Sequence, residues 1–198
     1  GLANKDYSFV NGMIPLGSCT MKLNATTQMM PLSWESVQNQ HPFQLKKPEG
    51  YHTMMNGLKE YLLDLTSMDD ISFQPNAGSM GEYIGLSCIK KYHQTRGDNN
   101  RNICLIPKSA HGTNFTSAKL ANYTILKYSD DLTLNQFREL VKNHKNDLAC
   151  LMITYPNTYG IFDDNIKDII ETIHKYGGLV YMDGANMNAQ CGITSPGE

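Results

Sequence analysis

The sequence predicts an α/β fold with a mostly parallel sheet. From about residue 70 onward, short apolar runs alternate with stretches of helical period, the pattern of strand–helix–strand units. The later runs are apolar without interruption, as expected of strands covered on both faces. Small and polar residues follow each run, as in the loops at the carboxyl ends of parallel strands where such sheets bind ligands.

Residues 1–48 are rich in Met, Gln, Asn and Pro and show no sustained period, which predicts an extended arm with short helical pieces. Between Tyr51 and Leu65, the apolar residues Met54, Met55, Leu58, Tyr61, Leu62 and Leu65 recur at helical spacing. This predicts an amphipathic helix with one buried face. Strands are expected at Ile71–Gln74, Ile103–Pro107, Tyr123–Tyr128, Leu148–Tyr155 and Leu179–Asp183. Helices are expected at Met80–His93, Asn114–Asn122, Leu134–His144 and Asn165–Lys175, the last stopped by Gly177-Gly178. The chain thus divides into an amino-terminal arm and helix over residues 1–68 and a large, incomplete α/β domain over 69–198. The Gly at the start and the polar Thr194–Glu198 end suggest a piece of something longer.

A net charge of −2 offers no basic face for a nucleic-acid backbone or an anionic membrane. No apolar run reaches the length of a membrane span. Cys19, Cys88, Cys104, Cys150 and Cys191 are scattered without a C-x-x-C pair, which suggests neither a zinc site nor a disulfide framework. No metal is expected.

Four segments carry chemistry. Asn76–Glu82 (NAGSMGE) is a small-residue turn opening a helix. Its free amides and the Ser79 hydroxyl suit a phosphate, although an ordinary helix start would look the same. It lacks both the G-x-G-x-x-G spacing and the G-K-[ST] ending of nucleotide sites. Ser109–Asn114 (SAHGTN) sets His111 in a polar loop, able to lie against an aromatic ring or to exchange a proton; a purely structural histidine is the alternative. Asp183, closing an apolar strand before Gly184 and Ala185, can hold a cationic ring nitrogen while Ala185 leaves room for the ring. A metal ligand or a helix cap is also open to it. Near the amino end, Ser18, Thr20 and Lys22 lie in a Gly-containing polar segment that could close over a small carboxylate, or simply be an exposed connector.

Taken together, Leu16–Asn24 (LGSCTMKLN), Gln74–Gly85 (QPNAGSMGEYIG), Ile106–Asn114 (IPKSAHGTN) and Asp183–Ala189 (DGANMNA) resemble the pyridoxal-phosphate-dependent glycine decarboxylase family, the P-proteins of the glycine cleavage system. The resemblance spans nearly the whole chain and falls in the carboxyl-terminal half of the long enzyme. It implies the type I pyridoxal-phosphate-dependent transferase fold, related to aspartate aminotransferase. It also implies that Ala77, Gly78 and Ser79 hold the cofactor phosphate, that His111 stacks on the pyridine, and that Asp183 pairs with the ring nitrogen. Ala185 would pack against the ring and Asn157 approach it, with His111 and Asp183 counted as catalytic and Ser18, Thr20 and Lys22 as substrate-binding. The family's cofactor-anchoring lysine follows the DGAN strand in a His-Lys pair, beyond the last residue here; His144-Lys145 falls before the Leu148 strand and is no substitute.

The implied reaction takes carbon dioxide from glycine and passes the aminomethyl group to the lipoyl arm of H-protein, an oxidoreductase activity. The implied setting is a homodimer or two-subunit assembly, mitochondrial in eukaryotes. The segment by itself is expected to be inactive. Two other readings remain: a non-catalytic homologous subunit that binds a partner, and a nucleotide-binding α/β domain using Asn76–Glu82.

Overall fold

The computed structural model describes residues 1–5, 12–13, 25–41 and 49–198. The chain forms two compact units, Gly1–Met55 and Asn56–Glu198. In the first, the described residues form short pieces: a 3-10 turn at Leu2–Lys5, helix α1 (Thr26–Met29), a 3-10 turn at Met30–Ser33 and helix α2 (Glu35–Gln38). The Tyr51 hydroxyl donates to the Val37 carbonyl at 3.4 Å.

Helix α3 (Glu49–Thr66) contains the unit boundary and matches the expected amphipathic helix in position. Its expected buried face is not formed: no residue of α3 is buried, and Met54, Leu58, Tyr61 and Leu65 are exposed. The apolar period marks the face that seeks cover, and the described residues cover it only in part, leaving Leu62 half-buried.

Residues 71–74 are not a strand. The Asp70 carboxylate takes the Ile71 N–H at 2.8 Å and the Ser72 hydroxyl takes the Gln74 N–H at 3.3 Å. These local side-chain bonds satisfy amides that a ladder would otherwise use, and Pro75 has no N–H to continue one.

The second unit is built on four parallel strands: β1 (Ile103–Pro107), β2 (Thr124–Tyr128), β3 (Leu148–Thr154) and β4 (Leu179–Asp183), in spatial order β2-β1-β3-β4. Helices α4 (Gly78–Thr95), α5 (Gly112–Leu120), α6 (Leu134–Asn143) and α7 (Ile166–Lys175) surround it. Residues of the central strands feed two cores. Leu86 of α4 and Ala118 of α5 meet Cys104, Ile106, Cys150 and Met152 on one face. Phe137 and Val141 of α6 and Ile169 and Ile173 of α7 meet Ile103, Leu105, Leu148 and Leu151 on the other. This two-sided burial is why β1 and β3 read as unbroken apolar runs.

The boundaries have local causes. The Thr133 hydroxyl accepts the Gln136 N–H while the Gln136 side chain accepts the Thr133 N–H, a reciprocal capping box that starts α6. Helix α7 stops at Gly177, whose φ of +80° favours glycine; the Gly178 N–H reaches back to the Ile173 carbonyl at 3.0 Å. Helix α5 starts two residues before the expected Asn114 because the His111 ring nitrogen accepts the Thr113 N–H and caps it.

Strand order reverses at β1: the chain runs from β1 outward to β2, then back past β1 to β3 and β4. Such a switch opens a crevice at the strands' carboxyl ends.

Candidate functional site

Helix α4 begins without a side-chain cap. Ala77 is extended before it, with its carbonyl taking the Met80 and Gly81 N–H groups. Ala77, Gly78 and Ser79 are exposed, and a Cβ on Gly78 would meet nothing within 4 Å. An uncapped helix start of small residues, with Ser79 adding a hydroxyl, leaves donors that an anion could take up.

One turn further along α4, Glu82 turns inward and is only 5% exposed. Its carboxylate accepts the Thr113 hydroxyl at 2.8 Å, the Asn114 amide at 3.0 Å and the Ser117 hydroxyl at 2.6 Å, all from α5. Burial of a carboxylate is tolerable when donors replace its water. The Asn114 amide also donates to Asp183 Oδ2 at 3.0 Å. Asp183 closes β4, and its other oxygen accepts the Ala185 N–H at 3.0 Å. The Thr154 hydroxyl at the end of β3 donates to Oδ2 at 3.4 Å. The helix-cap role left open for Asp183 is therefore taken by Oδ1, in the 3-10 turn Gly184–Ala189.

His111 is exposed, and its Nδ1 lies 2.8 Å from the Thr113 hydroxyl and 3.2 Å from the Thr113 N–H. Since Thr113 also reaches Glu82, the hydrogen bonds run in sequence from His111 through Thr113, Glu82 and Asn114 to Asp183. Tyr181, on the same face of β4 as Asp183, lies against α4 at Gly81 and Gly85. Burial first, then the charges of Glu82 and Asp183, push the Tyr181 phenol from 10.0 up to about 12.

Ala77–Ser79, His111, Asp183 and Ala185 thus stand on elements joined by one hydrogen-bonded network, at the carboxyl ends of β1, β3 and β4. Asn157 stands apart: its side-chain oxygen accepts the Tyr159 and Ile161 N–H groups, and only its backbone carbonyl reaches Asn186, at 3.2 Å. Ser18, Thr20 and Lys22 lie outside the described residues. Two cavities of about 470 Å³ flank the network. One lies between α4 and α5 beside Ser79, Tyr83 and Thr113. The other opens over β1, β2 and β3 beside Asn157, Asp130 and Asp163.

Glu82, Asn114, Ser117 and Thr154 were not singled out as site residues from the sequence. A signal was available for Glu82, which stands with Leu86, Ile89 and His93 on the inward stripe of α4, a carboxylate where the period calls for an apolar residue. Nothing comparable marks Asn114, whose partners are 32 and 69 residues away. Among the described residues, no group of three or more His, Cys, Asp or Glu side chains could hold a metal ion, and no helix is long and apolar enough to cross a membrane.

No family model matches the chain. Among curated proteins, the glycine dehydrogenase (decarboxylating) of Shewanella frigidimarina is 50% identical over 99% of this chain and 21% of its own length. The chain matches a segment of glycine dehydrogenase. The mitochondrial glycine dehydrogenase (decarboxylating) of Pisum sativum is 49% identical over 99% of this chain and 19% of its own length. The chain therefore spans about a fifth of the length of the curated glycine dehydrogenases it matches. Among solved structures, an inhibitor-bound glycine decarboxylase (P-protein) of the glycine cleavage system superposes with a TM-score of 0.62 at 10% identity, over 87% of this chain and 38% of that one. The fold is that of the type I pyridoxal-phosphate-dependent transferases, as expected.

Proposed function

We propose that this chain is the pyridoxal-phosphate-binding part of a glycine dehydrogenase (decarboxylating), an enzyme that removes carbon dioxide from glycine and passes the aminomethyl group to the lipoyl arm of H-protein. The observation that carries this reading is Asp183. Its carboxylate ends a parallel strand and is oriented by a backbone amide, the Asn114 carboxamide and the Thr154 hydroxyl. A carboxylate so held can keep a proton on a pyridine nitrogen.

The other residues fit the same cofactor. The uncapped α4 start at Ala77, Gly78 and Ser79 suits its phosphate, and Ala185, without a bulky side chain, leaves space for a ring beside Asp183. His111, exposed at the cap of α5, is available to lie against that ring. When bound, pyridoxal phosphate supplies an electron sink for the bond broken at glycine. The chain's own part is to anchor the phosphate, orient the ring and hold the proton at the ring nitrogen. Asn157 enters this reading only through its backbone link to Asn186, and Ser18, Thr20 and Lys22 are assigned to the substrate carboxylate. A dimeric or two-subunit assembly and a mitochondrial location complete the reading; the pea relative is named mitochondrial.

Titration of the intact protein with pyridoxal phosphate and, separately, with ATP and NAD tests it. A visible cofactor band, lost in D183N and weakened in S79A, is expected, together with glycine decarboxylation that depends on lipoylated H-protein. Tight nucleotide binding without a cofactor band would refute it.

A further inference from the structure

We propose that Asn114 is a positioning residue that sets the spacing between the two ends of the cofactor site, an inference that rests on the pyridoxal-phosphate reading above. One end is the start of α4, where the phosphate binds; the other is Asp183 on β4, which meets the ring nitrogen. These lie on different elements, and β4 is paired only with β3 among the described residues. The Asn114 carboxamide joins them. Its single NH2 group gives one hydrogen to Glu82 Oε1 and the other to Asp183 Oδ2, both at 3.0 Å. Glu82 belongs to α4, one turn past Ser79, and two hydroxyls besides Asn114 hold it in place.

The chemistry is specific to asparagine. Two hydrogens on one nitrogen let a single side chain bridge two carboxylates. The amide orientation is fixed, because turning the oxygen toward Glu82 and Asp183 would set three acceptors against one another. A hydroxyl has one hydrogen and could serve one carboxylate; an aspartate would repel both.

The position also carries a cost that packing does not explain. Asn114 is fully buried, and its Oδ1 finds no partner among the described residues. Leaving a buried acceptor unpaired lowers stability, so a residue selected for folding alone would be apolar here. Bridging Glu82 to Asp183 accounts for that cost.

The test uses the intact protein with pyridoxal 5′-phosphate labelled with 15N at the ring, and with inorganic phosphate as a second probe. In N114S and N114L, cofactor affinity should fall about tenfold or more, as for loss of a hydrogen bond to a charged group. The ring-nitrogen resonance should move toward its unprotonated position, while inorganic phosphate, which occupies one end only, should bind as in the wild type. A folded N114S with wild-type cofactor affinity and resonance would overturn the proposal. So would equal losses of phosphate and cofactor binding, which mark a general loss of structure. In the unaltered protein, the 15N resonance of the Asn114 side chain must shift when cofactor is added, and a stationary resonance overturns the proposal whatever the variants do. D183N separates the two levels: if it leaves the ring-nitrogen resonance unchanged, the cofactor reading itself fails.

Discussion

Substituting Gly85 by alanine tests how tightly β4 is seated on α4. A Cβ there would lie 2.7 Å from Cδ2 of the Tyr181 ring, which real Cβ atoms essentially never show. The obstacle is the body of the ring, carried by a strand bonded along its length to β3, so it cannot swing aside as a flexible tip would. Overpacking of this kind costs about 1–3 kcal/mol. Replacing glycine by alanine within a helix returns about 1 kcal/mol, leaving a net loss of up to about 2 kcal/mol. At roughly 2–4 °C per kcal/mol for a domain of this size, the melting temperature should fall by up to about 8 °C. Thermal denaturation followed by circular dichroism measures it, with two controls. G78A, where a Cβ would meet nothing within 4 Å, should change the midpoint little. Y181L should suppress most of the G85A loss, since it removes the obstructing ring. A raised melting temperature in G85A, or no coupling to Tyr181, would refute the contact as the reason for glycine at this position.

Two further outcomes follow from buried groups. Burial, with Glu82 and Asp183 next, holds the Tyr181 phenol at about 12 against 10.0 ordinarily; burial likewise raises Tyr123 and Tyr128 further. Above pH 10 the unfolded chain binds fewer protons than the folded one, so stability present below pH 10 is lost as pH rises toward 12 and beyond. Exposed tyrosines such as Tyr61 and Tyr159 should ionise first, the later phase of phenolate absorbance should coincide with the change in circular dichroism, and complete tyrosine ionisation near pH 10 with the helices intact would contradict this. Cys88 and Cys191 are exposed, whereas Cys104 and Cys150 are fully buried neighbours on β1 and β3. The hydrogen bond to Cys104, and then burial, raise the Cys150 thiol. A native-state thiol reagent read by mass spectrometry should label Cys88 and Cys191 and spare Cys104 and Cys150 until denaturant is added.

The sheet was legible where burial is two-sided. β1 and β3 are apolar on both faces because each face meets its own pair of helices, and the run itself carries that information. Residues 71–74 alternate apolar and polar side chains but have no partner strand among the described residues, and a run of four says nothing about the availability of a neighbour. Helix α3 was legible as a helix and not as to what covers it, since period reports a face and not its occupant. In the site, Asp183 and the α4 start were readable because each sits at an element boundary with its own local signature. Asn114 was not, because its role exists only through Glu82 and Asp183, brought to it by the fold.

The reversal of strand order at β1 also bears on how this unit assembles. β1 is made first yet lies inside the sheet, and its partner β3 emerges only after α5, β2 and α6. The β1–β2 pair closes a comparatively short loop, while β1–β3 must close a longer one around it, at a greater entropic cost. Until β3 docks, one edge of β1 remains without its ladder partner, and the apolar residues destined for both cores are only half covered. Synthesis order and spatial order therefore diverge, and the growing chain carries a central strand with one open edge until β3 is made, the stage at which such a protein is most exposed to misassociation.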